Sequence, residues 1–260
     1  MTAALESEPQ GFSRFIQQFF SGAAPDDLKM FSPQVRESIA RMFHGVAEER
    51  RPGQPYLRVF SPTLSRDGFD APVALLVTVN DDKPFLVDSI LSELGERGLK
   101  IKAVFHPIFK VKRDTKGLFK NIVFDGGDGA AESMICIAFS RPGGADQLAD
   151  IETGVGRVLS SVAVAVADWK AMLARLDESI VDLEKHPPKA PREEIDESLT
   201  FLKWLKDHHF TLLGCRDYVF ESDDGGRLLP VAESGLGLLR DPERRVIRHG
   251  GNRAALTPEV

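Results

Sequence analysis

The chain has 260 residues, 42% hydrophobic and 28% charged, enough apolar material for a buried core and for two domains. Its formal net charge of -6 argues against a nucleic-acid binder, which needs a dominant positive field to neutralise phosphates. The first ten residues are acidic and lack the basic start and apolar stretch of a secretory leader, and no apolar run approaches the ~20 residues of a membrane span. The two cysteines, Cys136 and Cys215, sit in apolar runs without a Cys-x-x-Cys pattern, so a cytoplasmic protein with buried structural thiols is expected.

Phe12, Phe15, Ile16, Phe19 and Phe20 recur at helical spacing, as do Val35, Ile39, Met42, Phe43 and Val46. They predict a helical prefix over residues 1–52, its aromatic stripe packed on the prefix's own partner helix, with a docking surface as the alternative. Tyr56 to Phe60 is a candidate edge strand, and the β-branched run at 73–79 reads as a strand buried on both faces. Asn80 to Lys83 break that run. Asp81 or Asp82 is suited to cap a helix whose early Pro84 needs no N–H, and Phe85, Leu86, Ile90, Leu91 and Leu94 carry its apolar side until Gly98. From Ile101 to Lys112 the period drops to two. Ile101, Ala103, Phe105, Pro107, Phe109 and Val111 share one face, and Lys102, Val104, His106, Ile108, Lys110 and Lys112 the other, in a long strand bent or edge-placed at Pro107.

Asp125-Gly126-Gly127-Asp128-Gly129 reads as a hairpin turn, since it lacks the oxygen spacing and terminal glutamate of a calcium loop. Residues 133–139 give a further apolar strand, and from Ala145 the residues Leu148, Ile151, Val155, Val158, Leu159 and Val162 recur at helical spacing. That helix extends to Leu183 with a break near Asp168-Trp169, and the proline-rich piece from His186 to Pro191 ends it. The order predicts an α+β domain over 53–186, a ferredoxin-like antiparallel sheet with helices on one face. Its usual final strand is missing, and Tyr56 to Phe60 is available to replace it. Beyond the prolines, Glu194 to Lys206 predicts an amphipathic helix with Ile195, Leu199, Leu202 and Leu205 inward. His209 to Phe220 predicts a strand, Ser222 to Gly226 a hairpin turn and Leu228 to Val231 the return strand, the start of a second α+β module over 192–260. The stop at Leu256 to Val260 completes no regular element and reads as a fragment boundary.

Chemistry-bearing patterns are sparse. A dinucleotide turn needs Gly-x-Gly-x-x-Gly between a strand and a helix, whereas Gly154-Val155-Gly156 lies in a helical pattern and Gly235-Leu236-Gly237 lacks the third glycine. His208-His209 has no third ligand at zinc-like spacing, so no metal is expected. Arg97, Lys100, Lys102, Lys110, Lys112, Arg113, Lys116 and Lys120 face only Asp114 in the same stretch. They read as a solvated or ion-pairing face, because no aromatic platform for RNA shares it. The one credible ligand site is the loop from Asn80 to Pro84, where helix N–H groups and the helix dipole favour a carboxylate. There Asp81 and Asp82 suit an α-amino group and Lys83 a carboxylate, with His106 the next candidate.

Asn80-Asp81-Asp82-Lys83-Pro84-Phe85-Leu86-Val87-Asp88-Ser89, Val104-Phe105-His106-Pro107-Ile108-Phe109 and the run from Phe201 to Tyr218 resemble the N-terminal region of the large bacterial NAD-specific glutamate dehydrogenases. Asp168-Trp169-Lys170-Ala171-Met172 and Gly235-Leu236-Gly237-Leu238-Leu239-Arg240 fit the same family in the same order, while Lys83 and Cys215 depart from it. The sheet domain in turn resembles an ACT domain, a regulatory form of the ferredoxin-like fold that binds amino acids near this loop. The resemblance implies a parent enzyme that oxidatively deaminates L-glutamate to 2-oxoglutarate with NAD, in a catalytic domain beyond this chain. It implies no catalytic residue and no cofactor in this segment. Its implied partners are its own catalytic domain, other subunits of a homo-oligomer and an amino-acid effector, with no nucleic acid and no membrane. The alternatives are a free-standing amino-acid-binding ACT protein and a purely oligomerising scaffold.

Overall fold

In the computed structural model, which describes residues 8–124, 126–221 and 227–244, three helices precede the sheet: α1 (Glu8–Phe20), α2 (Pro25–Lys29) and α3 (Pro33–Glu49). Ser32 Oγ accepts the Val35 N–H at 3.3 Å and Pro33 fills the first turn, which fixes the start of α3. There follow β1 (Tyr56–Phe60), the single turn α4 (Leu64–Asp67), β2 (Ala74–Asp81), α5 (Leu86–Glu96), β3 (Ile101–Phe105), β4 (Ile108–Arg113), β5 (Phe119–Val123), β6 (Ala130–Phe139) and the 41-residue α6 (Ala145–Lys185). By its contacts the chain divides into two units, Met1–Leu159 and Ser160–Val260.

The first unit is built on an antiparallel sheet of order β1-β2-β6-β4-β5, with β3 also on β6. β3 and β4 keep one register on β6, with Phe105 opposite Cys136 and Ile108 opposite Ser133, and the Met134 N–H donates to the Pro107 carbonyl at 3.0 Å. The strand read from the period of two is thus one line of pairing, interrupted at the residue that has no N–H to give. β1 pairs antiparallel with β2 from Tyr56–Val79 to Phe60–Leu75 and takes the place of the missing final strand. The fold is therefore α+β and ACT-like, with one strand supplied from the N-terminal side and β5 added at the far edge. β5 and β6 each pair with β4 and lie on opposite sides of it, so the two are not partners in a hairpin. A Cβ on Gly129 would stand 3.2 Å from the Val111 carbonyl carbon, so this glycine lies close against β4. Asp125 lies outside the described residues.

Alternation along the central strands gives two buried faces. Leu75, Val77, Val79, Phe105, Phe109, Met134 and Cys136 join Phe15, Phe19 and Phe43 in one cluster. Phe15 stacks on Phe109 at 4.6 Å, Phe20 meets Phe105 edge-on at 5.1 Å, and Phe19 packs on Phe43 at 4.8 Å. The prefix stripe therefore reaches beyond its own partner helix: Phe15 and Phe20 lie on the sheet, and the prefix is a layer of the same core. The opposite face carries Leu76, Ile135, Ile137 and Phe139, served by Leu86, Ile90 and Leu94 of α5 and Ile151, Val155 and Leu159 of α6. Leu57, on that face by its pairing with Thr78, lies 3.8 Å from a Cβ built on Gly156 of α6. Burial pushes the Cys136 thiol up to about 12, so it packs as an inert hydrophobe.

Leu86 and Ile90 are 4% and 0% exposed, whereas Asp88 faces solvent. Leu86→Ala and Ile90→Ala should each lower the unfolding free energy by about 2–5 kcal/mol, and Asp88→Ala by no more than about 0.5 kcal/mol. Equal losses for all three in urea titrations would mean that α5 packs through another side.

In the second unit, α6 passes Asp168-Trp169 without the expected break. α7 (Arg192–Trp204) runs into a π-helical turn (Leu205–His209), followed by β7 (Gly214–Cys215), β8 (Tyr218–Glu221), β9 (Arg227–Pro230) and β10 (Leu236–Gly237). β7 pairs with β10 and β8 with β9, so the strand expected over His209 to Phe220 is two short pieces. The turn expected at Ser222 to Gly226 and the stop at Leu256 to Val260 lie outside the described residues. Asp168 accepts the Gly237 N–H at 2.8 Å and Arg240 Nε and Nη2 at 2.5 and 2.6 Å, which holds its carboxyl below the usual range despite its burial. Gly237 has φ 58, and a side chain there would collide with the Leu213 carbonyl. The segments Asp168 to Met172 and Gly235 to Arg240, far apart in sequence, are two halves of one contact.

Candidate functional site

β2 ends at Asp81, and Asp82 to Phe85 lead into α5. The Asp82 N–H donates to the Ala131 carbonyl at 2.9 Å, which continues the β2–β6 pairing one residue past the strand. Phe85 is the residue before α5, with φ 70 and 47% exposure, and among the described residues it is the non-glycine residue with positive φ. Neither Asp81 nor Asp82 is the cap expected from sequence. No side chain caps α5, which leaves its first-turn N–H groups to other acceptors.

His106 lies at the break between β3 and β4, where its Nε2 hydrogen-bonds Ser133 Oγ at 2.7 Å. Partial burial pushes its pKa down, and the Asp82 carboxylate, close enough to act on it, pulls the other way. With the folded pKa below the unfolded one, His106 gives its full stability contribution as the neutral ring, and that contribution is lost as pH falls through its folded value. Ile108, 46% exposed, is the next outward residue along the same strand line. Asp82 and His106 thus interact electrostatically, and Lys83, half-exposed, follows Asp82 in the loop that leads into α5.

Asp81 is turned to other work. Its Oδ1 accepts Arg50 Nη2 at 2.5 Å and its Oδ2 accepts the Gly53 N–H at 3.0 Å. Burial pushes this carboxyl up, but Arg50 and Gly53 outweigh it and hold the pKa below the ordinary value. Arg50 Nη1 also lies 3.0 Å from Glu132 Oε2, and both side chains are 2% exposed. Glu132 in turn takes the fork of Arg113, Nε to Oε1 at 2.7 Å and Nη2 to Oε2 at 3.0 Å. Arg113 further donates to the carbonyls of Ala47 and Arg50 at 2.9 and 2.7 Å, closing the C-terminal end of α3. Two guanidiniums and two carboxylates balance one another where the prefix meets the sheet. The basic stretch at 97–120 therefore divides: Arg113 and Arg97 are committed to ion pairs, Arg97 with Glu93 and Asp150, while Lys102, Lys110 and Lys112 remain exposed.

Gly154 and Gly156 sit inside α6, and Gly237, at the end of β10, is pressed against Leu213 and gives its N–H to Asp168. Among the described residues no helix is long and apolar enough to cross a membrane.

A split β-α-β sheet with an uncapped helix start beside its first β–α loop defines an ACT-type α+β domain. The chain belongs to the glutamate dehydrogenase family: residues 15–155 match the family described as glutamate dehydrogenase, ACT1 domain. The match begins at Phe15, inside α1, and so takes in the prefix as well as the sheet. The NAD-specific glutamate dehydrogenase of Pseudomonas aeruginosa is 33% identical over 230 residues, which cover 87% of this chain and 14% of that protein. The protein of the same name from Halomonas elongata is 31% identical over 194 residues, 73% of this chain and 12% of the relative. That of Mycobacterium tuberculosis is 29% identical over 176 residues, 64% and 10% respectively. The chain spans about a seventh or less of the length of the curated relatives it matches.

Proposed function

We propose that this chain is the regulatory and assembly segment of an NAD-dependent glutamate dehydrogenase. Its catalytic domain, elsewhere in a longer cytoplasmic polypeptide, binds NAD and deaminates L-glutamate to 2-oxoglutarate, and the whole works as a homo-oligomer. The observation that carries the reading is the ACT1 match over the β2–α5 loop and its surroundings. In this reading an amino-acid effector sets its carboxylate on the α5 N–H groups and Lys83 and its ammonium group on Asp82, with neutral His106 beside it. Asp81 and Asp82 then have different tasks: Asp82 meets the effector, and Asp81 ties the end of β2 to Arg50 behind α3. A shift of the loop reaches the prefix through that ion pair.

The purified 260-residue chain should reduce no NAD with glutamate, and calorimetry with a panel of amino acids should give saturable heat for at least one. Asp82→Lys should abolish that heat with little change in melting temperature, because an exposed charge contributes little to stability. Asp81→Lys is unsuitable for this test, since it breaks the pair with Arg50. Undiminished binding by Asp82→Lys would move the effector site elsewhere, and glutamate-dependent NAD reduction by the chain itself would overturn the non-catalytic assignment.

A further inference from the structure

α7 has two apolar sides. Ile195 is buried, and Leu199, Leu202 and Leu205 continue its side at helical spacing. On another side Phe201 and Trp204 are 56% and 46% exposed, their rings 6.1 Å apart and within 17° of parallel. His209 extends the stack at 5.0 Å and 14°. The π-helical turn Leu205–His209 builds this ladder, because its wider turn lays the ring five positions on over Trp204, and His209 Nδ1 donates to the Trp204 carbonyl at 3.1 Å. Phe210 and Leu213 follow at 59% and 54% exposure. The neighbouring cations are spent, Lys203 on Glu184 at 2.7 Å and Lys206 on Asp177 at 2.5 Å. What remains is a row of flat π faces with little field, suited to carbon and aromatic groups rather than to anions.

We infer that this ladder is a docking surface for polypeptide of the same glutamate dehydrogenase chain outside these 260 residues, an apolar or aromatic segment lying across the rings. The inference rests on the proposed place of the chain in a longer enzyme. The matched relatives are about seven or more times longer than their matched part, which supplies the occupant. A helix with two apolar sides needs a partner for each.

Hydroxyl-radical footprinting tests this on the 260-residue chain and on the full-length dehydrogenase, with glutamate-dependent NAD reduction of the latter measured in parallel. Phe201, Trp204 and Phe210 should oxidise readily in the short chain and several-fold more slowly in the full-length protein. The double variant Phe201→Ser, Trp204→Ser should leave the melting temperature of the short chain unchanged and restore oxidation of Phe210 in the full-length one. Equal oxidation in both proteins overturns the inference, as does protection in the short chain that grows with its concentration, which would make a second copy the occupant. Activity without protection removes the docking surface alone, whereas a full-length protein without activity removes the functional reading beneath it.

Discussion

Glu132→Ala should destabilise the chain by about 3–5 kcal/mol, because it leaves the guanidiniums of Arg50 and Arg113 buried with one carboxylate between them. Coulomb attraction in a buried ion pair does little more than offset the desolvation of its members, so the balanced network contributes modestly as a whole while the loss of any one member is costly. Lys112→Ala, an exposed change on the neighbouring strand, should stay within about 0.5 kcal/mol. The pH dependence follows from Asp81. Its folded pKa lies below the unfolded value of ~3.9, so its contribution is complete above that value and is lost as pH falls through the lower folded one. Urea midpoints of the wild-type chain should therefore drop on the acid side, and Asp81→Asn should flatten that limb. A Glu132→Ala loss no larger than that of Lys112→Ala would remove the network from the energetics of the fold.

Local pattern accounts for much of the first unit. The β-branched run at 73–79 had to be a strand with two covered faces, and Leu86, Ile90 and Leu94 had to share one side of a helix, because those regularities lie within a single element. The bend at Pro107 and the substitute strand Tyr56–Phe60 were legible for the same reason. The ion network was not. Arg50, Asp81, Arg113 and Glu132 come from four separate places in the chain, and each alone reads as a surface charge. Asp81 and Asp82, adjacent and chemically alike, are separated by the alternation of the strand, which sends one to Arg50 and the other towards His106. Phe85 before α5 broke the capping rule outright, since a bulky residue at φ 70 is set by the surrounding fold and not by its own preference. Asp168 and Arg240 stand in separate motifs whose contact only the folded chain reveals.

Phe109→Ala and Phe15→Ala should each cost about 3–5 kcal/mol, since both side chains are fully buried and removal of either ring opens a cavity between α1 and the sheet. The double variant should cost less than the sum by about 0.5–1.5 kcal/mol, the coupling expected of stacked rings. This result carries the functional argument as well. If the prefix were a separate helical piece resting on its own partner helix, Phe15→Ala would cost little and would be additive with Phe109→Ala. With Phe15 on Phe109, Phe20 on Phe105 and Arg113 closing the end of α3, the prefix must instead move with the sheet. In the proposed regulatory role, a displacement of the β2–α5 loop would be felt at both ends of the prefix, at α1 through the aromatic layer and behind α3 through Asp81 and Arg50. Urea unfolding of the cycle, with far-UV and near-UV signals followed together, decides it: additive losses, or a prefix that melts before the sheet, would break this route from loop to prefix.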